Sequence, residues 1–304
     1  MSLDRRYGTI EDAILTPSEF MERETLGAVY RADGTLVSDA LRERLMWRAV
    51  DPATIPASTM PTRTFDEAIY CGRLLYHFGH FLIETSPSLL WAMGSDLPVL
   101  MHGWKGARGD FPPFARFVLS ALGIDEARIV RIDRPMGVHT LYLPPQRRTF
   151  DTDAFSSPMT ACAFRLVSAA AGPASRRGRH IFFSRRFQAS REHAENDALE
   201  ALFQQSGFEI IAPERLEFSE QIKIAKESAF IAGLDGSALH LCGFMQGGIC
   251  LILQNRDGQL KIFQTVNATA NVKTFRFDVR KGFDPEALRG QIAECEAELA
   301  RLCP

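Results

Sequence analysis

The chain has 304 residues, more than one hydrophobic core usually holds, so two domains of ordinary size are expected. An apolar fraction of 46% and a charged fraction of 24% are typical of a globular protein and exclude a disordered or fibrous one. The formal net charge of -2 gives no overall attraction to nucleic acid or to an anionic membrane, so an anion site requires a local cluster of charge.

The N-terminal sequence has acidic residues among its apolar ones and lacks the continuous apolar stretch of a secretory signal, which favours a cytoplasmic location. The longest apolar runs, such as 249–253, are far shorter than the ~20 residues that span a bilayer, so we expect no transmembrane segment. The cysteines lack CxxC and CxH spacing, which argues against a structural zinc site or a disulfide framework. We expect reduced and mostly buried thiols at Cys71, Cys162, Cys242, Cys250, Cys295 and Cys303.

The N-terminal half contains apolar runs of strand length and one clear amphipathic helix that ends at Gly123. A second helix, within the stretch YHFGHFLIETSPSLLWAM, is predicted to begin after Gly79. Strands are predicted at 66–72, 97–103, 128–133 and 140–144, and the amphipathic helix at 111–124.

From about Arg179 onward, strands and helices alternate regularly. Near-continuous apolar strands separated by helices of about ten residues are typical of a parallel sheet covered on both faces. We therefore predict a doubly wound, Rossmann-like domain, in which ligands bind at the carboxyl ends of the strands. The predicted strands are 179–186, 208–213, 229–234 and 247–253, and the predicted helices are 194–207, 218–228 and 237–245.

Helix ends and the domain boundary follow from local signals. Ser219 is the expected cap of the helix over 218–228, and a terminal helix is expected with Asp284 as N-cap and Pro285 at its first position. The Gly172–Pro173 pair marks the best boundary, which predicts domains over 1–172 and 173–304.

Between residues 154 and 191 the sequence contains no acidic residue, whereas arginines accumulate. Arg185 and Arg186 directly follow a predicted strand, so they should stand at its carboxyl end, where a guanidinium fork can hold a diphosphate. We favour a binding role for Arg185 and Arg191. A solvated basic linker is the favoured interpretation for the arginines nearer the boundary: Arg176, Arg177 and Arg179.

A glycine-rich turn at Gly233, Asp235 and Gly236 leads into a helix that starts near Ser237. Glycines at such a turn let a ligand approach the backbone, and the exposed amides of Gly236, Ser237 and Ala238 suit a phosphate group. A glycine-rich turn before serine is also an ordinary helix cap, so this motif alone leaves both interpretations open.

His80 and Glu84 are four residues apart and therefore lie on one face of a helix. A histidine and a carboxylate on one face can form a general-base unit in which one group orients the other. The simpler interpretation of an isolated pair is a core histidine with a solvent-facing glutamate. The apolar residues expected to supply the buried side of this helix are Phe78, Phe81, Leu82, Leu89, Leu90 and Trp91.

Together these stretches resemble glycosyltransferase family 61 over most of the chain from about residue 69 to 253. The sequence HFGHFLIETSP at 77–87 is similar to the family motif Asn-Tyr-x-His-Phe-x-x-[Asp/Glu]-x-x-Pro. The run Ser184-Arg185-Arg186, with Arg191 and Glu195-Asn196, is similar to the family pattern Ser-Arg…Arg…Asn-Glu.

The segment 207–245 resembles three further family blocks in the same order and spacing: Gly-Phe-x-Val-x-x-Pro-Glu, Glu-Gln and Gly-x-His-Gly-Ala-x-Leu-x-Asn. The sequence departs from the family at three places. His77 replaces an Asn, Glu195-Asn196 inverts an Asn-Glu pair, and Asp235 stands where the family has His.

The resemblance implies an α/β protein of the GT-B type, with two Rossmann-like domains whose parallel sheets face a central cleft, to which the terminal helix predicted above is added. It implies an acceptor on the first domain, a nucleotide-sugar co-substrate on the second, inversion at the anomeric carbon and no essential metal or other cofactor. We expect a UDP-linked donor and a glycan acceptor, in capsule, exopolysaccharide or cell-envelope glycan synthesis. A peripheral association with a membrane-bound acceptor is left open.

The site residues divide into a catalytic and a binding set. Glu84, oriented or assisted by His80, is the expected general base, and Asp235 is the rival base. Arginines and a helix N-terminus can neutralise the leaving diphosphate in place of a metal ion. The expected binding set is Arg185, Arg186, Arg191, Gly236, Ser237, Ala238, Glu220 and Gln221.

Two other functional classes remain as alternatives. The motif departures leave open a non-catalytic relative that binds a glycan or a partner and uses the fold as a scaffold. The arginine run favours a nucleic-acid-binding protein, but the slightly acidic overall charge argues against this, and we expect no nucleic-acid partner.

Overall fold

A computed structural model of the protein describes residues 8–17, 19–21, 24–40, 60–103, 109–145, 158–187, 195–257 and 260–302. The chain forms two compact units, Met1–Ala154 and Phe155–Pro304. Both combine helices with a sheet rich in parallel strands, so the protein is a mixed α/β protein.

The main sheet of the first unit has the order β4-β1-β8-β5-β6-β7, and β2 and β3 form a separate hairpin. The described strands are β1 (Gly8–Leu15), β2 (Glu19–Met21), β3 (Glu24–Leu26), β4 (Val29–Tyr30), β5 (Arg63–Leu74), β6 (Val99–Gly103), β7 (Ile129–Arg131) and β8 (Met136–Leu143).

Strands β8, β5, β6 and β7 are parallel, whereas β1 runs antiparallel to both β8 and β4. The parallel sheet expected for this unit is therefore confirmed for four strands, and β1 and β4 depart from it. The burial of β1 agrees with this pairing. Ile10, Ala13 and Leu15 are buried and Ile14 is half-buried, whereas the other residues of β1 are exposed, and a partly solvated strand suits antiparallel pairing.

The helices of the first unit lie between its parallel strands. Residues 78–92 form one continuous helical segment, α1, made of Phe78–His80 (α), Phe81–Thr85 (π), Ser86–Leu89 (α) and Leu90–Ala92 (3₁₀). Helix α2 is Pro113–Ala121, and short 3₁₀ turns cover Ser38–Ala40 and Glu126–Arg128. Gly123 has a φ of +66°, and its N–H donates to the carbonyl oxygen of Ser120 at 3.0 Å, which ends α2 as predicted.

The sheet of the second unit has the order β10-β9-β11-β12-β13, and every described strand pair in it is parallel. The prediction of a parallel sheet is confirmed for this unit. Its strands are β9 (Arg179–Phe183), β10 (Glu209–Ile211), β11 (Ser228–Leu234), β12 (Gly248–Gln254) and β13 (Val272–Asp278).

Helices separate these strands along the chain. Asp284 caps the last of them, accepting the N–H of Glu286 at 2.9 Å, as predicted. The helices are α3 (Pro158–Ala170), α4 (Asn196–Gln205), α5 (Phe218–Glu227), α6 (Leu260–Ala268) and α7 (Pro285–Leu302), with 3₁₀ segments at Pro213–Arg215 and Ser237–Phe244.

Two of these helices begin differently from the prediction. Helix α5 is capped by Glu217 and not by Ser219, because Glu217 and Glu220 form a reciprocal capping box. Helix α1 begins at Phe78, before Gly79, with His77 at the N-cap position.

The core of the second unit is built around central strands that are buried on both faces. All seven residues of β12 are buried, which explains its unbroken apolar sequence. Phenylalanines fill the space between β9 and α4, where the rings of Phe182 and Phe203 stack at 4.4 Å between centroids. This packing holds the strand ends that carry the candidate site.

Helix α3 packs within the second unit. Phe164 lies 4.7 Å from Phe244 between ring centroids, and the Lys226 ammonium donates to the carbonyl oxygen of Ser168 at 3.2 Å. The division between the compact units therefore precedes α3, whereas the boundary proposed from the sequence follows it at Gly172.

The cysteines of the described ranges form no disulfide with one another. Cys71, Cys242, Cys250 and Cys295 are buried and Cys162 is half-buried, while Cys303 lies outside those ranges. None of the helices in this part of the chain has the combination of length and apolar character that crossing a bilayer would need.

Candidate functional site

Candidate residues lie just beyond the carboxyl ends of three strands of the second sheet. Because β9, β11 and β12 are parallel, the loops that follow them start at one edge of the sheet. Arg185 comes two residues after β9, Asp235 and Gly236 directly follow β11, and Arg256 comes two residues after β12.

Arg185 is fixed against the turn that follows β11. Its side chain is buried, with 6% of its surface exposed. Its Nη2 donates to the carbonyl oxygen of Leu234 at 3.1 Å and to that of Asp235. The structure thus brings together Arg185 and the glycine-rich turn, which lie far apart in the sequence.

Gly236 permits this close approach. Its φ of 176° is extended backbone that any residue can adopt, so its conformation does not require glycine. A Cβ at this position, however, would overlap Nη2 of Arg185 and lie 2.7 Å from its Cζ. The absence of a side chain therefore allows the guanidinium to lie against the turn.

The glycine-rich turn leads into the 3₁₀ helix Ser237–Phe244, with Gly236 at its N-cap position. The first hydrogen bond at its start runs from the Leu239 N–H to the carbonyl oxygen of Gly236 at 3.0 Å. The amides of Ser237 and Ala238 precede it and have no acceptor within the helix. They are suited to an anionic oxygen, as the sequence predicts.

Asp235 is paired with an arginine that the sequence analysis missed. The Asp235 side chain is buried, and its two carboxylate oxygens each lie 3.4 Å from a guanidinium nitrogen of Arg256. The Arg256 side chain remains 50% exposed. Arg256 lies two residues beyond the end of β12, just as Arg185 lies two residues beyond the end of β9. This shared position after a strand is the sequence signal that could have identified Arg256.

Arg186 faces helix α4. Its Nη2 donates to Glu200 Oε2 at 2.5 Å, and Ser184 Oγ donates to the other oxygen of the same carboxylate at 2.5 Å. Asn196 Nδ2 also donates to Glu200, at 2.8 Å. These contacts of Glu200 with Arg186 and Ser184 hold the loop after β9 against α4. Glu200 was not among the residues predicted from the sequence.

Other predicted binding residues have structural contacts or lie outside the described ranges. The Glu220 carboxylate accepts the Glu217 N–H at 3.3 Å in the capping box of α5. Gln221 donates its side-chain amide to the carbonyl oxygen of Leu216 at 3.0 Å. Arg191 lies outside the described residues.

The arginines near the start of β9 lie at the opposite, amino edge of the sheet. Arg176 and Arg177 are exposed, in agreement with a solvated linker, but this interpretation is wrong for Arg179. The Arg179 guanidinium contacts Glu209 at 2.6 Å and Glu227 at 2.9 Å, and its side chain is only 11% exposed.

These contacts shift the pKa values of both glutamates. The hydrogen bond from Arg179 lowers the pKa of Glu209 below its usual value of 4.5. For Glu227, burial acts to raise the pKa, but hydrogen bonds from Ser175 and Arg179 outweigh it and the pKa is lowered. Arg179 therefore serves the fold.

In the first unit, helix α1 places His80 and Glu84 in contact. They are hydrogen-bonded through His80 Nδ1 and Glu84 Oε1. Glu84 is buried, with 5% of its surface exposed, and His80 is half-buried. The interpretation of Glu84 as a solvent-facing residue is therefore wrong.

The second carboxylate oxygen of this pair is distinctive. Glu84 Oε2 is buried and has no hydrogen-bond partner among the described residues. Buried polar atoms are nearly always hydrogen-bonded, so an exception calls for an explanation, and a role in binding or proton transfer is one. The same residue is held by its helix, since Ser88 Oγ donates to the Glu84 carbonyl oxygen at 3.0 Å.

Aromatic packing fixes α1 within the first unit. The rings of Phe78 and Phe81 both meet Phe114 of α2 edge-on, with centroids 5.2 and 5.6 Å apart. The π-helical turn over Phe81–Thr85 widens the helix where Glu84 lies. Such turns are rare in proteins and occur frequently at functional sites.

The comparison with protein families decides the assignment. The family model described as Glycosyltransferase 61 matches residues 78–252, more than half of the chain. The chain belongs to glycosyltransferase family 61. No curated protein gives a significant match.

The matched range contains both groups of candidate residues. It begins at the first residue of α1 and ends within β12, so it includes His80, Glu84, Arg185 and Gly236. Arg256 lies beyond its end. Membership of glycosyltransferase family 61 implies a donor and an acceptor substrate.

The places where this family 61 member departs from the motifs have defined contacts. Asp235, which replaces a histidine, is paired with Arg256, and Asn196 of the inverted pair contacts Glu200. His77 lies at the N-cap position of α1, with its ring 5.1 Å from that of His80 between centroids. Within the described residues, no group of three His, Cys, Asp or Glu side chains could hold a metal ion.

Proposed function

We propose that this family 61 protein is an inverting glycosyltransferase of the GT-B type, which transfers a sugar from a nucleotide-sugar donor to a hydroxyl group of a glycan. The observation that carries the proposal is the contact of Arg185 with the turn at Gly236, at the carboxyl edge of a parallel sheet. That edge is where α/β sheets bind ligands. Synthesis of capsule, exopolysaccharide or cell-envelope glycan is the role we propose.

We assign the diphosphate of the nucleotide sugar to this edge because the edge carries positive charge and several hydrogen-bond donors. A guanidinium has five N–H donors in a planar fork, so Arg185 can hold the turn and also bind a phosphate oxygen. The amides of Ser237 and Ala238 supply further donors, and Arg256 supplies a second positive charge. Together they would stabilise the negative charge that develops on the leaving group.

Glu84 is assigned as the general base. As the acceptor oxygen attacks the anomeric carbon, its proton passes to Glu84 Oε2, and the bond between that carbon and the diphosphate oxygen breaks. The electron pair of that bond leaves with the nucleoside diphosphate. His80, bound to the other carboxylate oxygen, orients the base. Asp235 is the weaker candidate for the base because its carboxylate is already paired with Arg256.

The test separates chemistry from donor binding. Glu84→Gln keeps the size of the side chain but removes the base, so nucleoside diphosphate release should fall by about a hundredfold to ten-thousandfold. Release is measured with the nucleotide sugar that most raises the unfolding temperature, in the presence of a partially hydrolysed capsular polysaccharide. Calorimetric affinity for that donor should stay within about twofold of wild type.

Glu126→Gln is the matched control, because Glu126 is a half-exposed carboxylate of the same unit that pairs with Arg116. Its turnover should equal that of the wild type. Near-normal turnover of Glu84→Gln would remove Glu84 from the role of base. Unchanged nucleoside diphosphate affinity in Arg185→Lys would remove Arg185 from the phosphate site, since lysine lacks the guanidinium fork.

A non-catalytic relative remains the second candidate. It is favoured by the contacts of two motif positions, because Arg186 is engaged by Glu200 and Asp235 by Arg256. Such a protein would bind a glycan without releasing nucleoside diphosphate from any donor. The release assay therefore separates the two candidates.

A further inference from the structure

An aromatic side chain stands exposed beside the arginine assigned to the diphosphate. Phe187 lies two residues beyond Arg185 in the loop after β9, and 53% of its surface is exposed. Leaving a phenylalanine in water forgoes the free energy of its burial. Among the described residues, the other large hydrophobic side chains with comparable exposure are Met60 and Leu302.

A cation fixes the ring of Phe187. The guanidinium carbon of Arg215 lies 4.3 Å from the ring centroid, over one face. Arg215 belongs to the 3₁₀ turn that follows β10, and β10 pairs in parallel with β9, so both residues stand at the carboxyl edge. This contact spans two neighbouring loops and holds the ring while half of its surface stays open.

We propose that Phe187, positioned by Arg215, is the stacking platform for the nucleobase of the donor; this rests on the proposed function. A nucleoside diphosphate carries its base one ribose away from the diphosphate. Two residues of chain span at most about 7 Å, so a base can reach Phe187 while its diphosphate contacts Arg185. A flat aromatic base fits an aromatic face with one side open.

Stacking on Phe187 adds affinity for the nucleotide but does not select one base over another. Every nucleobase has a π-face, so stacking tolerates them all, and the Arg215 guanidinium on the far side of the ring adds a cation–π contact. Discrimination between bases then depends on hydrogen bonds elsewhere. The inference predicts that UDP, GDP, CDP and ADP all lose affinity when Phe187 is removed.

The experiment compares a ligand that has a base with one that lacks it. Affinities for UDP, GDP, CDP, ADP and inorganic pyrophosphate are measured by calorimetry for the wild type and Phe187→Ala. We expect the tightest nucleoside diphosphate to weaken about 5- to 100-fold, the range for one stacked base, while pyrophosphate affinity stays within about twofold. Leu302→Ala, which removes an exposed apolar side chain from α7, is the control and should change neither affinity.

Two further variants give independent results. Phe187→Trp should retain affinity, and its indole fluorescence should be quenched when the nucleotide binds, beyond any change in the wild type. Arg215→Gln should weaken nucleotide binding less than Phe187→Ala and should also spare pyrophosphate, because Arg215 acts through the ring.

The results distinguish failure of the platform from failure of the proposed function. Unchanged nucleotide affinity in Phe187→Ala, or an equal loss for pyrophosphate, overturns the platform and leaves the diphosphate site in place. A loss of glycan affinity with unchanged nucleotide affinity also overturns it and makes Phe187 part of the acceptor site. If the wild type binds neither pyrophosphate nor any nucleotide, the proposed function fails, and the platform with it.

Discussion

Arg179 and Arg185, at opposite edges of the second sheet, have different surroundings. At the amino edge, Arg179 contacts two carboxylates at 2.6 and 2.9 Å. At the carboxyl edge, Arg185 donates to neutral backbone carbonyl oxygens, and Arg256 lies 3.4 Å from its carboxylate partner. Ion pairs with two carboxylates tie Arg179 to β10 and to the end of α5 and serve stability. The backbone contacts of Arg185 instead place its guanidinium at the strand ends, where α/β sheets bind ligands.

Among the variants that compare the two edges, the largest effect is expected from Gly236→Ala. The added Cβ would lie 2.7 Å from Arg185 Cζ and would force the guanidinium away from the turn. Nucleoside diphosphate affinity should fall about 10- to 100-fold, the equivalent of one charged hydrogen bond. Calorimetry with UDP measures this loss.

A double variant shows whether the effect passes through Arg185. In Arg185→Ala, the further change Gly236→Ala should have little additional effect on affinity, because the two residues act as one unit. Gly290→Ala is the matched control, since a Cβ at Gly290 meets open space. Additive losses in the double variant would contradict the proposed coupling between Arg185 and Gly236.

An intermediate effect, on stability alone, is expected at the amino edge. Arg179→Met retains an unbranched apolar chain but removes the guanidinium from Glu209 and Glu227. The free energy of unfolding at neutral pH should fall by about 1–3 kcal/mol, as for the loss of charged hydrogen bonds. Nucleotide affinity should not change, because this edge is distant in the sheet from the strand ends that carry Arg185.

The loss of unfolding free energy in Arg179→Met should be larger at neutral pH than at acidic pH. The pKa values of Glu209 and Glu227 are lowered in the fold, so their stabilisation is present above the unfolded value of 4.5 and is lost as the pH falls through the folded values. Urea unfolding at pH 7 and pH 3.5 should therefore show a large difference between Arg179→Met and the wild type at pH 7 and a smaller one at pH 3.5. An equal difference at both values would exclude these ion pairs as its cause.

The sequence predicted the second unit better than the first, for a physical reason. Strands such as β12 are buried on both faces, and their unbroken apolar runs identify a parallel sheet directly. The first unit contains β1, whose antiparallel pairing depends on a partner, β8, more than 100 residues away in the chain. No local pattern encodes that pairing.

The candidate site was predicted unevenly for a similar reason. Arg185 and Glu84 follow from local rules, the end of a strand and the spacing of a helix. The contacts that tie Arg186 to Glu200 and Arg179 to Glu209 join residues from separate elements, so the sequence cannot distinguish these arginines from a ligand-binding one. The order and spacing of the family 61 motifs aided the prediction of the site, but the matched range ends before Arg256.

The smallest effect is expected from Arg256→Gln. Its guanidinium is half exposed and lies 3.4 Å from Asp235, so solvent screens its charge and its contribution to binding should be modest. Nucleoside diphosphate affinity should fall about two- to fivefold, equivalent to less than about 1 kcal/mol, and the loss should shrink as salt is raised.

Arg176→Gln is the matched control for this variant. Arg176 is similarly exposed, at 60%, and has a carboxylate partner in Glu209, but it lies at the amino edge. An equal loss in both variants would mean that the overall charge of the unit, and not the position of Arg256, attracts the nucleotide. A loss confined to Arg256→Gln would show that the strand-end position decides which arginine contributes to binding.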